Sequence, residues 1–259
     1  MNVREPAHSQ LPLFADRSLE QKIEFLHTLV EDMYGIYFFG ARRRILEILD
    51  RYACADDDEE GRIRRIRDLV EQVPNIFCKN CEIGHITGSA LIVDLQRESF
   101  LLHYHKRLGK WLQFGGHCGF GDHGFETNPA DVALREAGEE TGIGGLEHLT
   151  RYIAEDTATS EQGDLREGEE ASRIDPVDID IHDVCSGKGT PGHVHLDFRY
   201  ILAVPDANPV IQPQEGESNQ FAWIEFRTFQ LYQDKVDRSL RRFIKKAERL
   251  IRRENFRRC

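Results

Sequence analysis

The stretch Arg135-Glu136-Ala137-Gly138-Glu139-Glu140-Thr141-Gly142-Ile143 constrains the fold of this 259-residue chain more than any other. Its start is marked by Asn128, suited to the N-cap, by Pro129 at the first helical position and by Asp131, which at N3 can complete a capping-box-like exchange. Gly142 can take the left-handed C′ conformation, so the spacing predicts a short helix ending after Thr141. At about 100° per residue, Ala130, Leu134 and Ala137 gather on one side and Glu136, Glu139 and Glu140 crowd another. One face is built to bury, the other to concentrate negative charge.

Three clustered glutamates repel one another unless a cation stands between them. Hard oxygen ligands with room for water and phosphate oxygens suit Mg²⁺ or Mn²⁺. A solvated acidic face is the plainer alternative, and periodicity alone does not separate the two. The flanking residues do.

With those flanks the stretch resembles the Nudix box, G-x5-E-x7-R-E-U-x-E-E-x-G-U with U aliphatic. Arg135 to Ile143 match its second half at every fixed position, Ala137 standing at the first U. The first half departs. Counting back from Arg135 puts Thr127 at the glutamate and Gly121 at the glycine, with Glu126 one residue out of register; alternatively Gly116 is the box glycine and Cys118 to Glu126 contains an insertion. His103 to Arg107 and then Gly109 to His117 look like the strand, turn, strand and glycine-rich entry that precede the box.

The resemblance covers about residues 84 to 230 and implies an α/β fold, an α/β/α sandwich around a mixed sheet. It implies Mg²⁺- or Mn²⁺-dependent hydrolysis of a diphosphate linkage in a nucleoside diphosphate derivative or related molecule. Glu136, Glu139, Glu140 and Gly116 would hold the metal, and Arg135 would orient Glu139. The general base would be Glu139 or a loop carboxylate, Glu215 or Glu217. Two other readings stay open: a nucleotide-binding regulator that does not hydrolyse, and a prenyl diphosphate isomerase, for which Cys118 would be the cysteine.

The formal net charge of −11 argues against general nucleic-acid binding. Without an apolar leader or a run of about 18 apolar residues, a cytoplasmic protein that does not span a membrane is expected. Six irregularly spaced cysteines suit reduced thiols. Cys78 and Cys81 form a C-x-x-C that could bind zinc only with irregular partners such as Cys54 and His85.

Along the chain, residues 1–17 read as a flexible tail. In it Gln10-Leu11-Pro12-Leu13-Phe14 resembles the peptide by which bacterial proteins dock on the DNA sliding clamp. Ser18 opens a helical subdomain to about residue 76, with amphipathic helices carrying Ile23 to Met33, Ile45 to Leu49 and Ile63 to Val73. From His85 the period becomes two, predicting strands over Ile86 to Asp94, Ser99 to His105 and Lys110 to Phe114, and later Leu149 to Ala154. Thr157 to Arg173 reads as a long acidic loop. Asp178 to His182 and His193 to Tyr200 alternate polar and apolar residues and can pair antiparallel. Their polar face is either a wet outer surface or the wall of the cleft beside the box helix. In the latter case His193, His195 and Arg199, with Lys106 and Arg107, would meet substrate. Phe221 to Ile224 is a closing strand, and residues 231–259 form a basic amphipathic helix, either packed on the acidic domain or contacting an anionic surface.

Overall fold

The computed structural model describes residues 18, 38–106, 108–121, 124–149, 174–186, 191–205, 209–214 and 218–258. The clamp-like peptide, the helix expected over Ile23 to Met33, the acidic loop, Arg107, Glu215 and Glu217 lie outside these. The chain forms two compact units, residues 1–40 and 41–259. The helices expected in a separate subdomain are therefore divided: α1 (residues 38–51) from Ala41 onward, and all of α2 (Asp57–Gln72), belong with the sheet.

Asp56 caps α2 by accepting from the Glu59 N–H, and Asp57 to Glu60 fill its first turn, where the helix dipole favours them. Arg42 of α1 closes the other end, its guanidinium reaching the carbonyls of Val70, Val73 and Pro74.

Among the described residues the strands form one eight-stranded mixed sheet and a small separate hairpin. Its axis is the parallel pair β1 (Gly84–Asp94) and β9 (His193–Ala203). The outer half of β1 pairs with β2 (Ser99–His105), which in turn pairs with β3 (Lys110–Leu112) and β10 (Phe221–Glu225). The other half pairs with β4 (Phe114–His117). The expected strand from Lys110 to Phe114 is thus split at Gln113, where the chain crosses from β2 to β1. β9 also carries β7 (Glu147–His148) and β8 (Asp178–Val184), both antiparallel. Where a strand from Leu149 was expected, Leu149 instead has helical backbone and is buried in the core; residues 150–154 are outside the described set. The hairpin is β5 (Gly119–Gly121) with β6 (Gly124–Glu126).

Strand parity separates two layers, since alternate side chains leave opposite faces. Leu91, Val93, Ile201 and Ala203 join Leu240, Phe243, Ile244, Ala247 and Ile251 of α4 (Arg238–Arg258) in one core. Gly88, of the other parity, faces α3 (Pro129–Thr141): a Cβ there would lie 2.0 Å from the Pro129 carbonyl oxygen. That closeness explains why the buried residues of α3 are small, Ala130, Ala133 and Ala137 among them. With α3 on one face and α4 on the other, the sheet is the centre of an α/β/α sandwich. The C-terminal helix accordingly supplies Leu240, Phe243, Ile244, Ala247 and Ile251 to this core.

Candidate active site

α3 begins and ends as its sequence predicts. Asn128 accepts from the Ala130 N–H, and Gly142 sits at φ 69° with its N–H on Gly138. Asp131 accepts from the side-chain amide of Asn128 at 2.9 Å, a variant of the expected capping exchange. A Cβ on Gly142 would lie 1.9 Å from the Gln212 carbonyl oxygen, so this stop signal also seats a neighbouring loop. Gln212 and Gln214 donate to the carbonyls of Thr141 and Glu139.

The carboxylates of α3 point toward the glycine strand β4. Gly115 N–H donates 3.1 Å to Glu140 Oε2, and the Glu136 carboxylate fills the space that a side chain on Gly116 would need, 2.1 Å from such a Cβ. Arg135 binds Glu139 at 2.8 Å, Glu136 at 2.9 Å and Glu126 of β6 at 2.8 Å. The β5–β6 hairpin occupies the stretch before α3 and delivers Glu126 to Arg135, although Glu126 is displaced by one residue in sequence. Thr127, the in-register residue, instead accepts from Arg44.

Burial raises the pKa of Glu136, and Glu139 and Glu126 add to the rise against the opposing pull of Arg135. Burial works against a charged Arg135, yet its bonds to Glu126 and Glu136 raise its pKa overall. The group is therefore a fixed cation among four carboxylates. Glu136, Glu139 and Glu140 on this helix offer oxygen donors of the hard type that Mg²⁺ and Mn²⁺ prefer. The absence of a Cβ at Gly116 is what lets a carboxylate stand against that backbone.

Lys106 is exposed after β2. Cys118 is buried, and burial raises its thiol pKa. Cys78 and Cys81 close a turn, the Cys81 N–H on the Cys78 carbonyl. Among the described residues the potential metal ligands that converge most closely are histidines, and neither cysteine is with them.

The polar face of β8 and β9 lies on the α4 side of the sheet, away from the face that α3 covers. Arg199, 3% exposed, binds Asp197 at 2.8 Å, Asp178 at 3.2 Å and Asp180 at 3.3 Å. Arg242 and Lys246 of α4 add ion pairs to Asp178, and Lys246 also pairs with buried Glu59 of α2. The expectation that Arg199 meets substrate beside the box helix is thus corrected: it is a buried structural cation. His193 and His195 share its face. Burial, then His117 and His85, hold His195 to a pKa of about 2.

The class that this fold and site define is an α/β protein with a mixed sheet and a carboxylate-bearing helix laid over a glycine strand. Solved structures to which the chain is similar include a Nudix-family hydrolase from Clostridium perfringens, at 23% identity over 64% of this chain and 97% of that one, TM-score 0.42. Others are an Ap4A hydrolase from C. elegans in a binary complex (17%, 64% and 96%, TM-score 0.39) and the Nudix domain of Shewanella oneidensis NrtR with ADP ribose (17%, 64% and 87%, TM-score 0.36). No protein-family model and no curated protein matches the sequence. Among the described residues no helix is long and apolar enough to cross a membrane.

Proposed function

We propose that the chain is a Nudix-type hydrolase that cleaves a diphosphate linkage in a nucleoside diphosphate derivative, using Mg²⁺ or Mn²⁺ at α3. The observation that carries this reading is the single constellation in which Arg135 ties Glu126, Glu136 and Glu139 together while Gly115 fixes Glu140. Glu136, Glu139 and Glu140, with the Gly116 carbonyl, would hold the metal. When bound, it supplies charge neutralisation for the diphosphate and lowers the pKa of a coordinated water.

The protein groups prepare that chemistry. Arg135 sets the rotamer of Glu139 from one turn earlier, so that its other oxygen is presented in a constant position. Glu139, or Glu215 or Glu217 from the loop beyond Gln214, would take the proton of the attacking water. Gln214 bonds to the Glu139 carbonyl, which brings the start of that loop to α3.

The test is a panel of nucleoside diphosphate derivatives, dinucleoside polyphosphates and prenyl diphosphates incubated with Mg²⁺ and assayed for phosphate-containing products and isomers. Metal-dependent hydrolysis of one class supports the reading. Tight nucleotide binding without turnover would favour the regulator instead.

A further inference from the structure

The sheet face that carries Arg199 ends in a group of histidines drawn from four strands. Register sets His182 of β8 beside His195 of β9, and His195 beside His85 of β1. His117 of β4 stands opposite Thr87, two residues along β1 on the same face. The His85 ring centroid is 5.0 Å from His117, 4.7 Å from His195 and 4.9 Å from His193. One nitrogen from each of His85, His117 and His195 lies within 4.8 Å of the other two.

His85 is 1% exposed and neither of its ring nitrogens has a hydrogen-bond partner of normal geometry. Packing of imidazoles as core aromatics would explain the short centroid distances, but it leaves those two nitrogens without a hydrogen bond of normal geometry, with only a weak approach of the Cys81 backbone to the ring, and buried polar groups are rarely left so. A coordinated ion answers the deficit.

We propose that His85, His117 and His195 form a second metal site, for a borderline divalent transition ion of the Zn²⁺ type, with His193 placed to supply a fourth nitrogen. Nitrogen donors select such an ion over Mg²⁺, which prefers oxygen. Tetrahedral coordination with Zn–N near 2.0–2.1 Å puts ligand nitrogens about 3.3–3.4 Å apart; His193 Nε2 and His195 Nε2 are 3.3 Å apart. The nitrogens of His85, His117 and His195, now within 4.8 Å of one another, would draw in to that spacing around the ion.

The location gives the ion a role. Gly116 and His117 are adjacent in β4 and face opposite ways, one toward Glu136 and the other toward His85. An ion on the histidines would clip β4 to β1 and β9 from behind, holding the Gly115–Gly116 backbone against α3. The site is separate from the carboxylates and stands whether or not they are catalytic.

The experiment takes the full-length chain stripped with chelator and titrates it with Zn²⁺ and with Co²⁺ in excess Mg²⁺, following bound metal, Co²⁺ visible absorption and Tm. Expected are one equivalent bound, visible bands of nitrogen-ligated Co²⁺ and a rise in Tm. His117→Ala and His195→Ala should lose stoichiometric binding, while Glu140→Gln keeps it. His117 is exposed at the edge of the cluster, so His117→Ala should fold and decides the matter alone if His195→Ala does not. No stoichiometric binding by the wild type, or unchanged binding in His117→Ala, overturns the proposal.

Discussion

The backbone N–H of Gly115 donates to Oε2 of Glu140 across 3.1 Å, tying the glycine strand to the carboxylate helix. Gly115 and Gly116 nevertheless differ in what a side chain would do. At Gly115 (φ 155°) a Cβ would lie 2.5 Å from Ser89 Cβ and 2.6 Å from the Gly88 carbonyl oxygen, inside the sheet. At Gly116 its nearest neighbours would be the atoms at the movable end of Glu136. Gly115→Ala should therefore lower stability by about 1–3 kcal/mol. Gly116→Ala should leave Tm nearly unchanged but displace the Glu136 carboxylate and weaken Mg²⁺-dependent activity. Thermal melts and a Mg²⁺ titration of both variants would check the contrast; equal loss of Tm would contradict it.

Arg135 holds three carboxylates with one planar group, which lysine cannot imitate. Arg135→Lys should raise the Mg²⁺ concentration needed for half-maximal activity by about 10–100-fold, as expected when a group that orients metal ligands is lost. Restoration of rate at high Mg²⁺ would mark the effect as positioning. A wild-type metal dependence would show that Arg135 does not organise the site.

Arg199 should act on stability. Removing it leaves Asp178, Asp180 and Asp197 buried with one cation fewer, and breaking a buried ion pair costs about 3–5 kcal/mol. Arg199→Ala should then unfold well below the wild type. A variant that melts normally but has lost activity would return Arg199 to the substrate cleft.

The same network sets an acid limit. Burial raises the Asp180 pKa, but Arg199, Ser239 and Arg242 outweigh it and hold the folded value below the ordinary 3.8. A depressed carboxylate stabilises the fold fully above its unfolded pKa, and that contribution is lost as pH falls through the lower folded value. Glu59, depressed against its ordinary 4.5 by Lys246 and Tyr52 in opposition to burial, behaves alike. Stability should fall steeply below about pH 4, and Asp180→Asn should be less stable at neutral pH with a shallower acid limb. Melting temperature across pH 2.5–7 in both proteins is the measurement.

What could be read from the sequence follows physical range. Asn128, Pro129 and Gly142 act locally, and the helix they bound is where they place it. The alternation in β8 and β9 was equally visible, yet parity says only that His195 and Arg199 share a face, never which layer covers it. That is decided by the pairing of Ser89 with Arg199 and Leu91 with Ile201, contacts remote in sequence. Glu126 was out of register because a hairpin intervenes before α3, and hairpin geometry, not residue count, returns it to Arg135. The histidine group was hidden for the same reason as the Arg199 layer: only strand register assembles His85, His117 and His195.

The central claim, that α3 is a metal-dependent catalytic helix, is tested most directly by the Mg²⁺-dependent rate of diphosphate hydrolysis in wild type and Glu140→Gln at matched Tm. Gln can still accept the Gly115 N–H, so the change removes charge with little structural disturbance. Loss of several kcal/mol of charge stabilisation corresponds to at least about a hundredfold fall in rate. That fall, in a variant that melts like the wild type, is the predicted result; an undiminished Mg²⁺-dependent rate would contradict the assignment of this helix.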